Sequence, residues 1–132
     1  MAKRWYLGLA LAAGALGAVA CGDNGAGLTA PPSVLKRVEI HDNSFTPETV
    51  AVVVGGVVQW SNFGPTDHTT TSDAGLWDSG RLAAPRMNTA MSGLSGGTFE
   101  FQFNTPGTFT YHDALHPPSQ VPGFTGAVVV TP

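Results

Sequence analysis

With one cysteine in 132 residues the chain cannot form an internal disulfide, although an exported protein would be free to use one. Charge is scarce too. Six Lys or Arg against nine Asp or Glu give a formal charge of −3, with no basic run to neutralise a phosphate backbone, so nucleic acid is excluded as a partner. No segment sustains apolar spacing at the helical period. The chain has no Gly-x-Ser-x-Gly elbow, no Gly-rich phosphate loop with its Lys, no Cys-x-x-Cys and no carboxylate pair at a catalytic spacing. Acyl hydrolysis, nucleotide binding and thiol redox chemistry each lack their residues. No enzymatic activity is expected.

What is present begins with an apolar leader. Lys3 and Arg4 precede the Leu/Ala/Gly/Val run Leu7 to Ala20. That run is short of the roughly 20 apolar residues a bilayer span needs and suits the core of a signal peptide. It ends in Ala18-Val19-Ala20-Cys21, which resembles the bacterial lipobox, with Ala18 where leucine is usual. The resemblance implies a signal peptide over 1–20, a lipid on Cys21, and export to the bacterial cell envelope, in the periplasm or on the outer surface. An ordinary cleaved signal with an incidental cysteine is the alternative. Residues 21–33 are Gly-, Pro- and polar-rich and read as a flexible tether. The folded domain is therefore expected over 34–132, with membrane contact only through the anchor. Without the leader, Lys36, Arg37, Arg81 and Arg86 face nine acids, a formal charge of −5.

Within 34–132, short β-rich runs alternate with Gly, Pro, Asn and Asp, the pattern of an all-β sandwich. Val38 and Ile40 alternate with charged residues in a first strand. A turn is expected over Phe45–Glu48, then a strand carrying Val50, Val52 and Val54, the Gly55-Gly56 turn, and a strand over 57–60. Phe99, Phe101 and Phe103 share one face of a later strand, Phe109 and Tyr111 share a face of the next, and Val128 and Val130 share a face of the last. The segment 83–97 reads either as one helical turn or as an extended loop. There is no internal repeat.

Phe45-Thr-Pro47, Val54-Gly-Gly56, Val58-Gln-Trp-Ser-Asn62, His68-Thr-Thr-Thr-Ser72, Asp78-Ser-Gly80, Pro106 to Tyr111, His116 and Gly126 to Val130 occur in that order. This ordered set resembles the cupredoxins, the plastocyanin-like copper proteins, over nearly the whole domain from about residue 37. The resemblance implies a Greek-key β-sandwich of the cupredoxin type. It also implies a metal site built from an upstream His after the Trp-x-Asn strand and a Cys, a His and usually a Met before the last strand. His68 and His116 match the two histidines. The cysteine position is Asp113 and the methionine position is Phe124, so two ligands of the blue-copper set are missing.

Alternation places Phe109, Tyr111 and Asp113 on one side of their strand and His112 on the other. If Tyr111 packs inward, Asp113 aims at the metal position. Replacing a soft thiolate by a carboxylate gives a harder N,N,O set, suited to tetragonal Cu(II) with water in open positions and poor at stabilising Cu(I). Zn(II) would also accept it. His68, Asp113 and His116 are thus the expected metal ligands, with His112 and Gln120 as further candidates, Gln120 through its amide oxygen in the 117–123 loop. His41 reads as a surface histidine and Trp60 and Trp77 as packing residues. Asp67 is either an acceptor orienting His68 or a loop charge.

Two functions follow. The first is a monomeric, lipid-anchored copper protein with a non-blue site, passing electrons to a redox partner or copper to a carrier protein. The second is a metal-free cupredoxin-like binding or structural module on the cell surface, in which His68 and His116 hydrogen-bond to each other or to loop carbonyls.

Overall fold

The computed structural model describes residues 34–86 and 95–132. The expected signal peptide, Cys21 and the tether lie outside the described residues, as does most of the 83–97 segment. Eight strands form in order: β1 Leu35–His41, β2 Ser44–Thr46, β3 Thr49–Val53, β4 Val57–Asn62, β5 Thr71–Ser72, β6 Thr98–Gln102, β7 Gly107–His112 and β8 Thr125–Thr131. They make two four-stranded sheets, ordered β2-β1-β4-β6 and β3-β8-β7-β5. β1 runs parallel to β4 and β3 parallel to β8, whereas the hairpin neighbours are antiparallel. The described residues include no helix.

The period-2 pattern decides what lies between the sheets. Val38 and Ile40 of β1 and Val58 and Trp60 of β4 point inward from one sheet; Val50, Val52, Tyr111 and Val128 point inward from the other. The aromatics lock this core. Trp60 meets Tyr111 edge-on at 5.4 Å between ring centres, and Tyr111 meets Phe45 edge-on at 4.7 Å, arrangements that favour aromatic pairs beyond their area burial. The Tyr111 ring fits because its cross-strand partner is Gly126; a Cβ there would run into the ring and its hydroxyl.

Two local expectations are corrected. Phe45 does not belong to the turn: it is paired in β2 against Ile40 and is 3% exposed, because the edge strand lets its ring reach the core. Val54 does not continue the alternation. The strand ends at Val53, and Val54 is exposed beside the Gly55-Gly56 turn, where Gly55 takes φ +86°. Trp60 and Trp77 are buried packing residues as expected.

Strand directions set the two ends of the sandwich. Val34, Val53, Gly107 and Thr131 lie at one end, while Asn62, His112 and Thr125 lie at the other. The loops after β4 and β7 therefore meet at this second end.

Candidate metal centre

The upstream half of the site hangs on Asn62, the last residue of β4, which is fully buried. Its side-chain oxygen accepts the Gly64 N–H at 2.8 Å, and its amide nitrogen donates to the carbonyls of Thr66 at 2.8 Å and Leu82 at 2.9 Å. These bonds curl residues 63–67 into a tight loop. His68 then pairs backbone-to-backbone with Leu82, at 3.1 and 2.8 Å. The loop passes so close that a Cβ on Gly64 would lie 2.8 Å from His68 Nε2. The imidazole of His68 is completely buried.

The downstream half begins where β7 ends at His112. Asp113 is the next residue, continues the inward side of Tyr111, and is completely buried. Its Oδ1 accepts the Thr69 N–H at 2.9 Å, the Thr69 hydroxyl at 3.1 Å and the Leu115 N–H at 3.0 Å. Its Oδ2 accepts from two imidazoles, His68 Nδ1 at 2.7 Å and His116 Nδ1 at 2.8 Å. Burial alone would push this carboxyl up. The hydrogen bonds from His68, His116 and the Leu115 and Thr69 backbones outweigh burial and hold it well below the usual carboxylate range. Asp113 is therefore an anion, and each histidine turns its Nδ1 toward it.

The ligand-capable atoms of His68, Asp113 and His116 all lie within 4.8 Å of one another. The His68 and His116 rings are 5.1 Å apart. His116 is the member that reaches solvent, with a third of its side chain exposed. Phe124 closes the remaining side: it is fully buried, edge-on to His68 at 5.4 Å, and supplies no donor atom.

The other candidates fall elsewhere. His112 points to the opposite side of its strand, where Nδ1 donates to Asp73 Oδ1 at 2.6 Å. Gln120 is exposed in the loop, its backbone N–H bonded to the Pro117 carbonyl at 2.8 Å. Asp67 does not orient His68: it accepts the Ala84 N–H at 2.8 Å and pairs with Arg81 at 3.0 Å. His41 is a surface residue beside Glu39. Sequence reasoning missed Thr69 and Thr66. Thr69 also accepts the Ala114 N–H at 2.7 Å and so ties the two loops together. The threonine run after His68 was the available signal.

Comparison with solved structures bears on the fold. A mutant amicyanin in its Cu(I) form is 26% identical to this chain, with a TM-score of 0.52 over 73% of this chain and 81% of its own. The fold is that of the cupredoxins. Oxidised plastocyanin from Dryopteris crassirhizoma aligns over 73% of this chain and all of its own, at 21% identity and a TM-score of 0.50. The copper-containing nitrite reductase from Thermus scotoductus SA-01 aligns over 77% of this chain and 23% of its own, at 20% identity and a TM-score of 0.52. No family model matches the sequence, and no curated protein does. The cupredoxin frame is therefore present with an Asp113-centred site at its loop end.

The donor set fits a divalent metal ion. Two imidazoles and one carboxylate, each offering a ligand-capable atom within 4.8 Å of the others, are the residue types that would hold Cu(II) or Zn(II). A metal on His68 Nδ1 would leave the ring proton on Nε2. There the Thr66 hydroxyl lies at 3.2 Å, able to accept.

Proposed function

We propose that this protein is a lipid-anchored cell-envelope cupredoxin that holds copper in a non-blue site formed by His68, Asp113 and His116. The observation that carries this reading is that His68, Asp113 and His116 each bring a ligand-capable atom within 4.8 Å of the others. The one cysteine of the chain is Cys21, so the 34–132 domain has no thiolate to offer. A bound copper ion would supply one-electron redox chemistry or serve as cargo. The chain's residues do the rest. Asp113 contributes the anion, His68 and His116 the imidazoles, Thr69 and Leu115 fix the carboxylate, and Phe124 keeps water from the buried side. A hard N,N,O set favours Cu(II) over Cu(I), which supports copper handling ahead of rapid electron transfer. His116 is the edge at which a redox or copper-carrier protein would meet the site. We read the protein as a non-enzymatic monomer, exported by its leader.

A second reading has its own support. Both oxygens of Asp113 are already satisfied by donors from the chain, so the cluster is also stable as a hydrogen-bonded clasp in a metal-free module. A Cu(II) titration of the full chain, followed by EPR and visible absorption, separates the two. One tight equivalent with wide copper hyperfine splitting and no intense blue band supports the copper site. No specific binding sinks it in favour of the clasp.

A further inference from the structure

Exposed apolar side chains gather at the end of the sandwich away from Asp113, while Phe63 and Leu115 are exposed at the Asp113 end. Val34, Leu35, Val53 and Val54 are each 38–47% exposed and account for four of the seven large hydrophobics exposed among the described residues. Val34 and Val53 line one shallow depression together with Lys36, Ala51 and Thr131. Asp42, Glu48, Asp67, Asp73 and Asp113 lie at or beside the Asp113 end, where Arg81 is engaged by Asp67, while Glu39 and Glu100 lie midway along the strands near Arg37. Lys36 and Arg37 both sit on the first half of β1, near the apolar end.

The same end is where the chain enters the domain. Twelve residues, 22–33, separate Cys21 from Val34. Under the tether reading of the sequence, a Gly-rich stretch of that length would span roughly 17–21 Å r.m.s., a little less than the roughly 23 Å of the seven-residue strand β8. A short flexible linker gives an effective concentration in the millimolar range, so a patch with weak intrinsic affinity is still held.

We propose that the Val34–Val53 end is a membrane seat. Its exposed valines and leucine rest on an anionic lipid surface beside the acyl chain of Cys21, Lys36 and Arg37 meet the headgroups, and the Asp113 cluster is held at the far end, facing away from the bilayer. The inference rests on the lipid-anchor reading above. It does not depend on whether the cluster binds copper.

The test uses the full, acylated chain in vesicles of phosphatidylethanolamine and phosphatidylglycerol. Because Cys21 is the one native thiol and is blocked by lipid, Thr131→Cys and Ser119→Cys each accept a single fluorophore, one at either end. A quencher attached to the lipid headgroups should quench the Thr131→Cys label severalfold more than the Ser119→Cys label. Adding Val53→Asp with Val54→Asp, or Lys36→Glu, should shrink that difference while the protein stays with the vesicles. Equal quenching of the two labels in an acylated, vesicle-bound protein overturns the seat and leaves the anchor standing. An unmodified Cys21 by mass spectrometry, with protein left in the supernatant, overturns both. A Thr131→Cys label equally shielded in detergent, with a doubled particle mass, overturns the seat in favour of contact between two copies.

Discussion

Asp113 and His68, 45 positions apart in the chain, form a fully buried hydrogen bond of 2.7 Å at the end of the sandwich. His116 approaches the same carboxylate oxygen from three residues downstream. Two imidazoles directed at one anion are a preformed donor set, and a set of this kind makes sharp claims about substitution.

His68→Ala and His116→Ala should each weaken Cu(II) binding by more than about 100-fold, since losing even an outer partner of a metal ligand typically costs 10–100-fold. His112→Ala should leave binding unchanged, because that ring faces Asp73. Competition titration against a chelator of known affinity reads both. Equal losses at all three positions would contradict the assignment.

Asp113→Ala should be destabilising by about 1–3 kcal/mol for each buried donor it leaves without an acceptor. It strips the partner from His68 Nδ1 and from the Thr69 N–H together. Urea unfolding of the metal-free protein measures it. Asp113→Cys is the informative companion. It places a thiolate between two imidazoles, and with Cu(II) it should produce the intense visible absorption of a copper–thiolate bond.

Tyr111 gives an alkaline prediction. Its phenol is buried without a hydrogen-bond partner of ordinary geometry, and burial pushes its pKa up to about 12, an effect the nearby Trp60 indole only partly offsets. Its folded value lies above the unfolded value of about 10, so its contribution is fully present below pH 10 and is lost as pH rises through about 12. The loss is about 2–3 kcal/mol over that window. Tyr111→Phe should flatten the window, as followed by unfolding midpoints against pH.

Gly126→Ala should destabilise by about 1–3 kcal/mol, the usual range for overpacking a filled core, because the added methyl enters the Tyr111 ring. The paired change Gly126→Ala with Tyr111→Leu should recover much of the loss. Thermal unfolding checks both, and additive effects of the two changes would argue against the contact.

Much of this was legible before any coordinates. Alternation at Val38/Ile40, Val50/Val52 and Val128/Val130 reports burial directly, because successive side chains in a strand point to opposite faces. The same rule placed Asp113 with Tyr111 and His112 opposite. Where the reading failed, long-range contacts were the reason. Phe45 looked like part of a turn, because nothing local reveals that Ile40 pairs with it or that Tyr111 and Phe124 await its ring. Asp67 stands next to His68 in sequence, yet its carboxylate turns to Ala84 and Arg81. Gln120 was near the site only along the chain.

The sequence by itself determined the all-β class, the absence of cysteine from 34–132, and the presence of His68, Asp113 and His116 as candidate ligands. Residue types and period-2 spacing carry that information locally. Only the tertiary structure decided that Asp113 is buried, that Thr69 from the distant loop holds it, that Phe124 closes the fourth side, and that the apolar end lies opposite. Each of these depends on which loops the strand directions bring together, and that arises from pairings such as β1 with β4 and β3 with β8, which no short window of sequence contains.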